Sequence, residues 1–251
     1  MEENRNGWVL ITGAAGGIGK ALVKSFSESG YRVIAVDKEP LEPEQGNVVF
    51  RHIDLRKICS DSTYADNFVD DCNEITSGVG ISALINNAAI QILGGCRDIS
   101  REQWKESFDV NLDAPFWLIQ SFLNQLKRNG GNVVNISSIH ATLTKKGFAA
   151  YATTKAALSS LTRTLAIDLA DEIRINAIEP AAVATEMLSA GFVGREEEFK
   201  ELERFHPIGR IAKPAEVADL AVFLCSDKAS FIHGSCISAG GGIQGSLSDP
   251  A

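Results

Sequence analysis

Short runs of β-branched and aliphatic residues recur along this chain, and each is followed by a longer stretch with helical spacing. The runs are Trp8 to Thr12, Arg32 to Asp37, Asn47 to Asp54, Ile81 to Asn86, Asn132 to Ser137 and Arg174 to Glu179. Strand alternating with helix implies βαβ units with right-handed crossovers, hence a parallel sheet covered on both faces. The runs are nearly continuous in Val, Ile and Leu, as strands buried on both sides must be. A last short strand near Ser235 to Ala239 closes one edge. The expected fold is α/β: a single domain over 1–251, a doubly wound parallel sheet of about seven strands with helices on both faces. No repeat or linker interrupts it. The segment 187–207, with Gly191, Gly194 and many charges, is the candidate for a mobile, substrate-side insertion.

The first strand runs directly into Thr12-Gly13-Ala14-Ala15-Gly16-Gly17-Ile18-Gly19, which opens a helix with apolar positions Ala21, Leu22, Val23 and Phe26. Glycines here allow positive φ and let the backbone approach a pyrophosphate, whose charge is favoured at a helix N-terminus. Asp37 ends the second strand 18 residues after Gly19. A carboxylate there can accept hydrogen bonds from ribose hydroxyls and repels a 2′-phosphate, so NAD is expected over NADP. The adjacent Lys38 softens that repulsion, and Asp37 can equally cap the following turn. Asp54, followed by Leu55, has the same dual reading as turn former or adenine contact.

Charge narrows the partners. The net charge is -8, with 24 basic residues dispersed among 32 acidic ones, so no clustered cationic surface for nucleic acid is expected. The polar start, Met1 to Gly7, has no apolar signal region, and no uncharged apolar run is long enough to span a bilayer. A cytoplasmic protein with no membrane partner is expected. Cys59, Cys72, Cys96, Cys225 and Cys236 are odd in number and contain no Cys-x-x-Cys pair, so reduced thiols and no metal site are expected.

Further along, Asn86-Asn87-Ala88-Ala89 follows the fourth strand and Ser138 follows the fifth. Tyr151-x-x-x-Lys155 then opens the next helix, with Tyr151 13 residues beyond Ser138. Residues four apart share a helix face, so Tyr151 and Lys155 can address one ligand, and an ammonium beside a phenol favours phenolate. Together with the glycine turn, these motifs resemble the short-chain dehydrogenase/reductase family, from Thr12 to the Gly240-Gly241-Gly242 tail. The resemblance implies a Rossmann-like fold and reversible hydride transfer between NAD and a secondary alcohol or ketone. It implies Tyr151 as acid/base, Lys155 lowering its pKa and holding ribose hydroxyls, and Ser138 on the substrate oxygen. Asn111 matches the family position that orients a water in the proton relay, although on local sequence a helix-kinking Asn reads as well.

By the same resemblance Gly13, Ala15, Gly16, Gly17, Ile18 and Gly19 form the phosphate turn and Asn87 lines the cofactor cleft. Val183 and Thr185 would contact the nicotinamide carboxamide. Gly16 stands where NADP-using relatives often carry Arg or Lys. Two positions depart from the family pattern: Ala89 and Ala181 replace glycines, which matters if either needs positive φ.

Gln91 and His140 are the substrate-side candidates. Hydroxybutyrate dehydrogenases of this family have a Gln and a His in similar contexts, but Phe148 stands where they carry a carboxylate-binding Lys, with Lys145 and Lys146 displaced. A sugar, polyol, hydroxy acid or steroid all remain open. A 3-oxoacyl-thioester or ketone reductase is the alternative within the family. A non-catalytic dinucleotide sensor is the alternative outside enzymology. The resemblance also implies a homotetramer or homodimer, packed through the helices after Asp113 and Ala149.

Overall fold

The computed structural model of the chain describes residues 7–41 and 46–246, so the polar start at 1–6 lies outside the described residues. Among them, seven strands form one sheet: β1 (Trp8–Thr12), β2 (Arg32–Asp37), β3 (Val48–His52), β4 (Ile81–Asn86), β5 (Asn132–Ile136), β6 (Arg174–Pro180) and β7 (Cys236–Ala239). They lie in the order β3-β2-β1-β4-β5-β6-β7, and every pairing is parallel. The order reverses at β1, whose neighbours are β2 and β4. A crevice therefore opens beyond the C-terminal ends of β1 and β4, where open α/β sheets bind their ligands.

The helices are α1 (Gly17–Glu28), α2 (Leu55–Ser60), α3 (Ser62–Ile75), α4 (Arg101–Phe108), α5 (Ala114–Arg128), α6 (Ala149–Asp168), α7 (Glu186–Ala190), α8 (Glu196–Arg204) and α9 (Pro214–Leu224). Strand side chains alternate between the two faces. Val9 and Ile11 of β1 join Leu22 and Phe26 of α1 and Val217 and Leu224 of α9. Trp8 and Leu10 join Phe68 of α3 and Phe122 and Leu126 of α5. The period of two thus splits each strand between two cores. Phe122 is fully buried and meets the Phe68 ring edge-on at 5.9 Å. Phe122→Ala is expected to cost about 3–5 kcal/mol in denaturant unfolding; a loss below about 1 kcal/mol would mean that this layer repacks.

Four strands have limits that differ from the sequence expectation, with β5 ending at Ile136 and β6 running on to Pro180. β3 ends at His52, and Asp54 instead caps α2, its Oδ1 accepting the Arg56 N–H at 3.0 Å. β7 begins at Cys236. The segment 187–207 is mostly helical, formed by α7 and α8.

Candidate active site

The glycine turn is held by the loop that follows β4. Thr12 Oγ1 accepts the N–H groups of Asn87 and Ala88, both at 3.0 Å, while Asn87 Nδ2 donates to the carbonyls of Thr12 at 2.9 Å and Gly13 at 3.0 Å. Gly13 has φ +65, and a Cβ there would stand 2.7 Å from the Ala88 Cα. Only glycine permits this conformation and this approach. A Cβ on Gly19 would overlap the Gly13 carbonyl oxygen, whereas one on Gly16 meets nothing closer than 3.5 Å. α1 starts without a side-chain cap on its first N–H groups, which leaves an anion site at its positive end. The turn and the bare helix start fit the pyrophosphate of a dinucleotide.

Asp37 ties the turn to β2. Its Oδ2 accepts the Ala15 N–H at 2.9 Å and its Oδ1 accepts the Glu39 N–H at 3.0 Å. The turn-capping role is therefore present, and a carboxylate still has lone pairs for ribose hydroxyls. Asp54 and Leu55 lie on the same cleft.

Ser138, Tyr151 and Lys155 meet at the C-terminal end of β5. Ser138 is buried, and its Oγ accepts the His140 N–H at 3.1 Å. The Tyr151 phenol lies close to the same side chain. Lys155 is 2% exposed, donates from Nζ to the Ile136 carbonyl at 2.7 Å and lies 5.8 Å from the Tyr151 ring centre. Burial pushes the phenol up from its usual value, and the neighbouring Ser138 hydroxyl opposes that push. Burial alone lowers the Lys155 ammonium to about 7. In the chain by itself, desolvation thus outweighs the expected pull of Lys155 on the phenol.

Asn111 does not line the cleft. It is fully buried in a single π-helical turn, Asp109–Asp113, between α4 and α5. Its Oδ1 accepts the Ile90 N–H at 2.8 Å, and its Nδ2 donates to the Ile90 carbonyl at 3.0 Å and to Thr154 Oγ1 at 3.1 Å. It clamps the loop after β4 to the residue beside Lys155, and π-turns of this kind are frequent at functional sites.

Gly13, Asp37, Ser138, Tyr151 and Lys155 line one cleft of about 1060 Å³. His140 stacks on Phe148 with ring centres 4.4 Å apart and meets Tyr151 edge-on at 5.8 Å. Lys145 covers Phe148 at 4.9 Å. No described residue hydrogen-bonds either His140 ring nitrogen, and burial lowers the ring's pKa, with the Lys145 charge adding to it. Gln91 lies exposed at the rim. Val183 bridges to Ala212, and Thr185 Oγ1 accepts the Leu188 N–H at 3.3 Å, leaving its own O–H to donate. Ser77 and Ala170 are the described non-glycine residues with positive φ, so Ala89 and Ala181 carry no strain.

Residues 13–244 match the family model described as enoyl-(acyl carrier protein) reductase. FixR of Bradyrhizobium diazoefficiens is 35% identical, over 93% of this chain and 85% of its own length. Galactitol 2-dehydrogenase (L-tagatose-forming) of Cereibacter sphaeroides is 32% identical, over 92% of each. The chain belongs to the short-chain dehydrogenase/reductase family. A Beutenbergia cavernae structure described as a putative NAD(P)-dependent gluconate 5-dehydrogenase with bound NADP superposes with a TM-score of 0.84. It is 30% identical and covers 95% of this chain and 97% of its own.

As a short-chain dehydrogenase/reductase, the protein is a nicotinamide-dinucleotide oxidoreductase acting on CH–OH groups. Among the described residues no helix is long and apolar enough to cross a membrane, and no cluster of His, Cys, Asp or Glu is placed to hold a metal. Of the residues singled out in the sequence, Ala15 and Asn111 do not face the cleft and act through Asp37, Ile90 and Thr154. Several cleft residues carried no sequence signal. Ser137 lines the cleft and donates from Oγ to the Lys155 carbonyl at 2.9 Å. His206 is buried on the cleft wall, its Nδ1–H donating to the Leu202 carbonyl at 2.8 Å while Nε2 has no partner among the described residues. A lone histidine in a charged stretch announces none of this.

Proposed function

We propose that the protein catalyses reversible hydride transfer between NAD and a secondary alcohol or its ketone, with Ser138, Tyr151 and Lys155 as the reacting site. The observation that carries this reading is the buried phenol of Tyr151, set beside Ser138 and backed by Lys155, on the wall of a cleft that begins at the glycine turn. The nicotinamide, when bound, supplies the hydride acceptor or donor. Ser138 holds the substrate oxygen. Tyr151 takes the carbinol proton during oxidation and returns it during reduction. Lys155, whose pKa of about 7 lets it gain or lose a proton near neutrality, passes the proton on and binds the ribose hydroxyls. Asn111 keeps the loop and helix in register and orients the relay water through the same clamp.

The glycine turn from Gly13 to Gly19 binds the pyrophosphate, and Asp37 binds the adenosine ribose. Asp54 and Leu55 face the adenine. Asn87 supports the turn beneath the cofactor. The Val183 backbone and the free Thr185 O–H hold the carboxamide. NAD is preferred because the Asp37 carboxylate repels a 2′-phosphate, an effect of at least about tenfold at this range. Gln91 and His140 contact the substrate.

An absorbance screen for NADH and NADPH formation over secondary alcohols tests the whole reading. Turnover with NAD at least about tenfold better than with NADP is expected. Tighter binding of NADP than NAD would remove the role given to Asp37, and dinucleotide binding with no turnover of any alcohol or ketone would leave a sensor.

A further inference from the structure

Beyond Tyr151 the cleft passes between two walls. One is built by the loops after β4 and β5, with Leu93, Leu143 and Phe148; the other by α7, α8 and the turn after them, with Leu188, Leu202 and Phe205. Leu93, Leu143 and Phe205 remain 60%, 45% and 52% exposed. Convergence of exposed large apolar side chains on one concavity is informative in a way that single scattered ones are not.

α8 adds a second observation. Its two apolar residues, Phe199 and Leu202, lie three apart on one side and are only half-buried, with Glu198 and Glu201 beside Leu202 on the cleft and no residue of the helix buried. Phe192 packs edge-on against Phe199 at 5.5 Å. An amphipathic surface helix normally buries its apolar stripe in the core. This one extends part of its stripe, through Leu202, along the cleft.

Polar groups are distributed differently. Ser138 and His140 gather at Tyr151, whereas Arg195 and Glu198 on the outer wall are paired with each other. Gln91, Thr144 and Lys145 are exposed on the opposite wall, and Lys145 lies over the Phe148 ring. A site that selects a polyol holds a fixed donor or acceptor for each hydroxyl. Glu186 and Glu201 on these walls are exposed, and His206 offers a single buried ring nitrogen with no partner among the described residues, so fixed polar groups are few beside the apolar side chains.

We infer that the body carried by the reacting carbon is apolar, a medium-length alkyl chain or an alicyclic ring system, rather than a sugar or polyol chain. The inference rests on the alcohol/ketone reading above for the position of the reacting carbon. Continuity of the apolar walls with Ser138 and Tyr151 in one cleft assigns them to the substrate.

The test is kcat/KM with NAD for secondary alkanols of increasing length, cyclic alkanols, and a hexitol. The ratio is expected to rise about fourfold per added methylene until the cleft is filled. The hexitol is expected to fall at least about 100-fold below the alkanol of equal carbon number. A flat length dependence, or a hexitol equal to the alkanol, overturns the inference. If nothing is turned over, the NADH-saturated protein is titrated calorimetrically with the matching ketones. Affinity that grows with chain length, with a negative heat-capacity change, then upholds the apolar cleft while the catalytic reading falls; binding without length dependence overturns it. Phe205→Ser and Leu143→Ser are exposed substitutions expected to flatten the length dependence. If they alter only the oligomeric state seen by light scattering, these walls face a second copy and the inference fails.

Discussion

Tyr151→Phe is expected to lower kcat for the best secondary alcohol by about 10²–10⁴-fold, the usual contribution of a positioned general acid/base. The substitution removes one oxygen and keeps the ring that stacks edge-on with His140 and Phe148, so the helix and its packing stay in place. The lost group is the hydroxyl beside Ser138. Because the hydroxyl acts on the proton in the transition state, the loss should appear in kcat and in kcat/KM alike. NAD affinity should change by less than about threefold, since Lys155 and the glycine turn remain. Steady-state kinetics with a parallel NAD titration checks both parts. Turnover within about fivefold of the parent would assign the proton to another group.

Lys155→Met is expected to separate activity from stability. Activity should fall by about 10²–10³-fold, because the proton path and the ribose contact go together. Stability should rise. The Lys155 ammonium is lowered from 10.5 to about 7 by desolvation alone, so the folded state disfavours its charge. The cost is fully present below the folded value near 7, and it is relieved as pH rises toward the unfolded value of 10.5. Its size is of order a few kcal/mol, against about 1 kcal/mol for the lost hydrogen bond to the Ile136 carbonyl. The Met variant should therefore melt several degrees above the parent at mildly acid pH, and the gap should close as pH rises. Thermal unfolding of the nucleotide-free protein at three pH values measures this. A variant that melts lower at mildly acid pH, or a gap that widens with pH, would mean that Lys155 is solvated.

These two residues also mark how far local reasoning reaches. The spacing from Tyr151 to Lys155 is one helical turn, so their shared face is a property of the helix itself. Gly13 follows the same logic, since its φ of +65 is set by the turn it occupies. The alternation of apolar runs and helical stretches carries the parallel sheet, because strands buried on both faces have to read that way. Asp54 shows where such reasoning weakens: capping α2 and ending β3 differ by two residues, and the choice depended on where α2 starts.

Other features lie in contacts between distant segments. Asn87 and Asn111 look alike in sequence. Asn87 braces the glycine turn, while Asn111 joins Ile90, 21 positions before it, to Thr154, 43 positions after it. The π-turn around Asn111 has no signature in the five residues that form it. Ala181 follows the end of β6 without a positive φ, its N–H donating to the Ala239 carbonyl at 3.3 Å, and that is a matter of how β6 and β7 pair.

The amino-acid sequence by itself determined the alternating sheet, the glycine turn after β1, and the order of Ser138, Tyr151 and Lys155, because each depends on dihedral angles and spacings within a few residues. The tertiary structure alone decided how deeply Lys155 is buried, what Asn87 and Asn111 hold, and that His206 and the apolar side of α8 reach the cleft. Burial and desolvation are set by every segment that closes over a group, and those segments are brought together only by folding.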